Sequence, residues 1–330
     1  MTKNKTENRK GYVFLRILSL CLFLWLMVNL LALPIGAVEK SAEGEVYGIE
    51  TASVTEASEE NNATRSAKLE YTLPGIPSRS LSYYKQLSVS VNGTSLGQSA
   101  LIVNDITYLP FRAFFELLGG KVTYNSATKT ISAAMQGLYI YVTDGGYVTY
   151  ANDRVLFSFS PAILMNNGRM YVPASALIKA VGFVRDYQSG SNVSFSGTYR
   201  PLASASSYYR SDEVLWLGKI ISAESKGEPL IGQIAVGNVI MNRVASDLYP
   251  NTIWGVIFDR RYGVQFSPVA NGTIYQAPSY TSTLAAKICL EGTKLSEDVL
   301  FFVAPKEAPN SWIARTREYA YTICNHDFYK

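Results

Sequence analysis

Histidine occurs once in these 330 residues, as His326, and cysteine only three times. That scarcity closes a large class of chemistry. Zinc and copper sites usually need two or three imidazoles or thiolates, and a lone imidazole does not supply them, so no metal or other cofactor is expected. The chain also lacks a clustered stripe of lysine and arginine, which argues against nucleic acid as a partner. Charge is nearly balanced, with 30 basic and 26 acidic residues, and 48% of the residues are hydrophobic, enough for the cores of about two domains.

What is present begins with MTKNKTENRKGYVFLR, which is basic, followed by the apolar ILSLCLFLWLMVNLLAL and then Pro34-Ile35-Gly36-Ala37. Residues 1–37 read as a secretory signal; an uncleaved anchor is the alternative, because the apolar run sits at the lower edge of a bilayer span. Both readings put the bulk of the chain outside the cell, and a membrane is a partner only if the signal stays. Residues 38–84, rich in Glu, Ser, Ala and Thr, read as an acidic flexible linker. Without the signal and this acidic stretch the remainder is mildly basic, which suits an anionic wall polymer. Cys21 leaves with the signal, so Cys289 and Cys324 remain, either as a disulfide or as two separate thiols.

From residue 85 short alternating runs such as LSVSV, KVTYN, TISAA and LYIYV, broken by Asn-Gly and Gly-Gly, predict strands and hairpins. An internal repeat lies within them. NDITYLPFRAFFELLGGKVTYN (104–125) aligns with NGRMYVPASALIKAVGFVRDYQ (167–188), pairing Tyr108 with Tyr171, Pro110 with Pro173 and Gly119 with Gly182. Each copy reads strand, proline at a helix start, amphipathic helix, glycine stop, strand. Residues 85–198 resemble the copper amine oxidase N-terminal-like domain of exported proteins. The resemblance implies a wall-proximal binding or spacing module without oxidase activity, since the segment holds no histidine.

After the polar joint PLASASSYYR the pattern turns helical. Ser211 or Asp212 is expected to cap a helix with Val214, Leu217 and Ile221 on one face, and Glu224 is the next position on that face. Gly227 is expected to stop it. A carboxyl partly buried in the last turn feels desolvation and the negative end of the helix dipole, and both raise its pKa, as a general acid requires. The opposing reading is a solvated helix-end glutamate sharing its charge with Lys226. Pro229 opens a second helix with a packing stripe of Leu230, Ile234, Gly237, Met241 and Val244; Asn238 and Asn242 stand one turn apart on a neighbouring face, suited to sugar hydroxyl and acetamido groups. FDRRYGVQFSPVANG (258–272) reads as a cleft-lining loop.

The ordered motifs AESKGEP, GQIAVGNVIMNRV, YPNTIWGVI, VQFSPVANG, LFFVAP and CNHDFY resemble the SleB-type cell wall hydrolases, the spore cortex-lytic enzyme family, over residues 205–330. The resemblance implies an α+β chain: the β-rich duplicated module, then a mainly helical domain of lysozyme or lytic transglycosylase type. It makes Glu224 the catalytic acid and peptidoglycan the substrate. Asn242, Gln265, Phe266 and Ser267 carry over as expected cleft residues, with Asn238 beside them. Ser225-Lys226 stands where family members commonly have Ala-Arg, and Ser225 is a candidate for orienting the glutamate. Trp312 is a candidate for stacking on a sugar face and His326 for contacting substrate, with packing roles as the alternatives. Asp259 is the candidate second carboxylate of a hydrolytic muramidase, whereas a lytic transglycosylase needs only one. A glycan-binding protein without turnover, and a peptidase built on Cys289 or Cys324 with His326, are the remaining readings.

Overall fold

The computed structural model describes residues 72–330. The expected signal segment 1–37 and most of the expected linker lie outside the described residues. The end of that linker differs from expectation, because residues 72–84 are pinned rather than loose. Arg79 pairs with Asp144 at 2.9 Å and donates to the Leu164 carbonyl at 2.6 Å, while the Tyr147 hydroxyl donates to the Pro74 carbonyl.

Period-two alternation builds the first half. Its strands are β1 (Lys85–Val91), β2 (Thr94–Ser95), β3 (Ala100–Val103), β4 (Ile106–Pro110), β5 (Lys121–Asn125), β6 (Thr130–Met135), β7 (Leu138–Thr143), β8 (Val148–Ala151), β9 (Arg154–Phe157), β10 (Ile163–Leu164), β11 (Met170–Pro173), β12 (Val184–Ser189) and β13 (Asn192–Ser196). One sheet runs β10-β11-β4-β3-β1-β13-β12, with β2 on β1; a five-stranded antiparallel sheet runs β5-β6-β7-β8-β9. Helices α1 (Phe111–Leu117) and α2 (Ala174–Val181) each follow a proline N-cap. Gly182 closes α2 at φ 76°, where a β-carbon would also meet the Arg200 carbonyl oxygen at 2.8 Å.

The repeat is visible as a local twofold. β4 pairs antiparallel with β11 through Tyr108–Pro173, Leu109–Val172 and Pro110–Tyr171, so the aligned residues Leu109 and Val172 sit on the axis. The copies then part. β5 opens the five-stranded sheet, whereas β12 stays in the larger one on β13.

The second half contains α3 (Ala205–Tyr208), α4 (Ser211–Ser225), α5 (Leu230–Ala245), α6 (Ile253–Ile257), α7 (Ser267–Asn271), α8 (Tyr280–Leu290) and α9 (Trp312–Thr316), with a small sheet of β14 (Phe301–Val303), β16 (His326–Tyr329) and β15 (Tyr319–Ile323). The fold class is α+β. α5 is buried almost all round, from Ile231 to Arg243, and is therefore the central helix rather than one with a single packing stripe. A β-carbon at Gly237 would lie 2.7 Å from Cys289 Sγ and 2.8 Å from Ile221 Cδ1, so the glycine admits side chains of α4 and α8 rather than a neighbouring backbone. No disulfide joins Cys289, which is buried, to Cys324, which is exposed.

The two halves are not separate beads. Val155 of β9 lies in the same apolar core as Leu217, Ile221 and Ile234, and Val148, Tyr150 and Phe157 pack against it. Beside this contact Arg154 makes a two-pronged pair with Glu291, both bonds 2.7 Å, and Tyr209 and Lys179 donate to the same carboxylate at 2.7 and 3.1 Å. Burial pushes the Glu291 carboxyl up, but the donors from Arg154, Tyr209 and Lys179 outweigh it and hold it below the usual carboxylate range. Arg154→Ala leaves that buried charge with only Tyr209 and Lys179 as donors. Urea unfolding is expected to show a loss of about 2–3 kcal/mol, and a smaller loss for Arg154→Met combined with Glu291→Leu.

Candidate active site

α4 has its first turn at Ser211 and Asp212, so neither is the N-cap; Arg210 takes that position, with Asp212 and Glu213 at the positive helix end. Leu217, Ile220 and Ile221 are fully buried, and Glu224 continues that face into the last turn. The stop differs in detail from expectation. Gly227 is not left-handed; the chain leaves the helix through a turn in which Glu228 N–H donates to the Ser225 carbonyl at 2.9 Å, and Pro229 then starts α5.

Glu224 is half-buried, and among the described residues no group donates a hydrogen bond or ion pair to its carboxyl. Burial, and secondarily the negative charge of Glu307, push it up to about 7. It lines an open cleft of about 480 Å³. The turn 225–228 forms one side, β14 and the loop 304–308 face it, and Asn325 and His326 close the end. The charged side chains facing Glu224 are Lys226, Glu228, Lys306 and Glu307. Two contacts hold the turn. Gln233 Nε2 donates to the Glu228 carbonyl at 2.8 Å, and Asn325 Nδ2 donates to the Glu228 carboxylate at 2.9 Å.

Of the other expected site residues, only Ser225 and His326 line this cleft. Ser225 does not orient the glutamate: it is buried, and its hydroxyl donates back to the Ile221 carbonyl at 2.8 Å. His326 Nδ1 lies 3.8 Å from Glu228. Burial outweighs the nearby carboxylates Glu228, Glu307 and Asp327 and pushes its pKa below the usual imidazole range, so it is neutral near pH 7.

The remaining expected residues lie outside the lining of this cleft. Asn238 and Asn242 are buried, and their amides donate to the carbonyls of Thr293 (2.8 Å), Ser296 (3.0 Å) and Val299 (3.0 Å), lacing the segment after α8 onto α5 instead of meeting sugar. Phe266 lies in the helical core, with the Arg243 guanidinium 5.2 Å from its ring. Gln265 donates to the Gly263 carbonyl at 3.0 Å. Asp259 is chelated by Arg261, at 2.9 Å to Nη2; those bonds hold its pKa below the usual range, and it is not in the cleft. Trp312 is about half exposed and packs edge-on against Phe301 at 5.9 Å, just outside the lining set by its neighbours Ser311 and Ile313. Ser267 is exposed in an adjoining polar groove of about 520 Å³ that shares Ala223 and Lys226 with the cleft. Burial pushes the Cys289 thiol up to about 12, which removes it as a nucleophile.

Comparison with known proteins bears on this geometry. Residues 227–329 match the Cell Wall Hydrolase family. That match begins just past Glu224, and residues 90–195 match the copper amine oxidase N-terminal domain. A spore cortex-lytic enzyme of Bacillus cereus is 37% identical over 122 residues, covering 37% of this chain and 46% of that protein. The Bacillus subtilis spore cortex-lytic enzyme is 35% identical over 105 residues, 32% of this chain and 33% of that protein. The chain thus spans about half the length, or less, of the curated relatives it matches. Among solved structures, the catalytic domain of the germination-specific lytic transglycosylase SleB from Bacillus anthracis is 36% identical, covering 37% of this chain and 97% of that one, with a TM-score of 0.34.

Glu307, Gln233 and Asn325 were not singled out by sequence reasoning. Glu307 sits in the Pro-flanked loop APKEAP, far from Glu224 in sequence, and no spacing rule links the two. Its effect is testable without substrate. Glu307→Gln removes a like charge, so the Glu224 titration followed by carbon NMR is expected to move from about 7 to lower pH.

Proposed function

We propose that this chain is an exported enzyme of the bacterial wall or spore envelope that cleaves the muramic acid–N-acetylglucosamine bond of peptidoglycan, with Glu224 as acid and then base. The observation that carries this reading is the Glu224 carboxyl: it lines an open cleft, has no donor among the described residues, and is pushed up to about 7, so much of it holds its proton near neutral pH. The match of the C-terminal segment to the Cell Wall Hydrolase family and its likeness to spore cortex-lytic enzymes supply the substrate class.

In the first step the Glu224 proton goes to the glycosidic oxygen as the bond from the muramyl C1 breaks. The muramyl C6 hydroxyl then attacks C1 from within the same sugar, and its proton passes to the Glu224 carboxylate as the 1,6-anhydro ring closes. Internal attack gains from proximity, and one carboxyl suffices because it is restored at the end. Neutral His326 and the Asn325 amide line the same cleft as polar groups that orient a sugar without adding charge. One observation favours a second reading. Glu307 gives the cleft another carboxylate, the role expected of Asp259, and a hydrolytic muramidase uses such a base to activate water.

Mass spectrometry of digested peptidoglycan separates the two, since anhydro-muramic ends mark internal attack and reducing ends mark hydrolysis. Glu224→Gln is expected to lower the cleavage rate by about a hundredfold or more, and a variant as fast as the parent would refute the assignment. The starting enzyme needs protonated Glu224, so kcat/KM is expected to fall as pH rises through about 7.

A further inference from the structure

Away from the Glu224 cleft, the five-stranded sheet carries a second concave surface of about 450 Å³ on the outer face of β5, β6 and β7. Thr123, Ser132 and Tyr141 lie in register across the three strands, with Thr130 and Tyr139 beside them. Alternation turns Ile131, Ala133, Ile140 and Val142 of the same strands into the core, so packing does not dictate the outer residues. They are nonetheless not the charged side chains usual on a solvated strand face. None of the residues lining this surface carries a formal charge; they are tyrosines, threonines, serine and asparagine.

The rings are arranged. Tyr139 is 53% exposed and Tyr124 39%, leaving flat apolar area in water. Tyr139 and Tyr141 have centroids 5.9 Å apart, and Tyr141 stacks on Tyr150 at 4.8 Å with an interplanar angle of 11°. Tyr150 in turn packs against the core of the helical half, which braces the row from behind. The hydroxyls are paired across strands, Thr123 with Ser132 at 2.8 Å and Thr130 with Thr143 at 2.9 Å; the first pair keeps one donor and acceptor capacity for a ligand, whereas Thr130 also donates to the Thr128 carbonyl at 3.2 Å, so the second pair offers acceptors alone.

We propose that this platform is a glycan-binding site separate from the cleft, which takes the N-acetylated amino-sugar backbone of the wall polymer. Sugar ring faces stack on Tyr139 and Tyr141, and hydroxyl and acetamido groups bond to Thr123, Ser132 and Thr130. The chemistry narrows the occupant. Without lysine or arginine in the lining there is nothing to neutralise a phosphate polymer, and the rows of hydroxyls interrupt the apolar area that a lipid or a protein helix would need. The choice of wall glycan rests on the function proposed above; the surface itself does not. Its attachment gives it a use, because β9 of the same sheet is fixed to the unit carrying Glu224 by Arg154–Glu291 and Val155. A strand held on the platform raises the local concentration of bonds at the cleft without adding a contact there.

The test uses the full chain with Glu224→Gln, so that binding is read without turnover, against two probes: peptide-free glycan strands and the N-acetylglucosamine hexasaccharide. Tyr139→Ala with Tyr141→Ala is expected to weaken binding of the strands about tenfold or more. Tyr139→Glu, at an exposed position, should do the same with an unchanged melting temperature. Tyr83→Ala, an exposed tyrosine off the platform, should change nothing. In the enzyme with Glu224 intact, the platform variants should cleave a short soluble tetrasaccharide at the parent rate and insoluble peptidoglycan more slowly. Unchanged affinity in the platform variants, or an equal loss in Tyr83→Ala, overturns the site. Strands that bind through the tyrosines while no glycan is cleaved would leave the platform standing and sink the catalytic reading instead.

Discussion

A carboxyl group in the last turn of a helix, on that helix's buried face and without a hydrogen-bond donor among the described residues, is where the physics of this chain concentrates. Each of those circumstances disfavours its charge, and Glu224 answers by keeping its proton to about pH 7. The surroundings serve to keep that unfavourable position in place. Gln233 grips the turn from α5, Asn325 grips Glu228 from the terminal hairpin, and Ser225 secures the last helical turn through Ile221.

The same economy appears in the central helix. α5 is buried nearly all round, and its polar residues face protein rather than solvent. Asn238, Asn242 and Gln233 satisfy loop carbonyls and the Ser282 hydroxyl, which fixes the segment leading from α8 to β14 and so the far wall of the cleft. The β-rich half joins this framework through a buried ion pair and a shared apolar core. It is part of the unit that holds Glu224, not a spacer on a string.

Much of this was legible along the chain, for stated reasons. The strand runs and the duplicated strand-helix-strand unit followed from alternation and from proline and glycine at matching places, because those residues act locally on backbone angles. Glu224 was legible because a 3.6-residue period carries it onto the apolar face. The polar helix residues misled, since two asparagines one turn apart look the same whether their face meets water or another loop. Asp259 misled for the opposite reason: Arg261 two residues on is close enough to chelate it, a bond that composition does not reveal. Glu307 gave no signal at all.

By itself, then, the amino-acid order determined the local elements, the repeat, the scarcity of metal-ligating side chains and the one acid set against its surroundings; all of these depend on residues a few positions apart. Only the tertiary structure decided which carboxylate faces Glu224, that the asparagines are bracing rather than binding, that residues 72–84 are pinned, and that the tyrosines of β7 form an open row. Those outcomes turn on whether a side chain meets solvent, a carbonyl or another charge once distant segments pack, and desolvation and hydrogen-bond partners are properties of that packing.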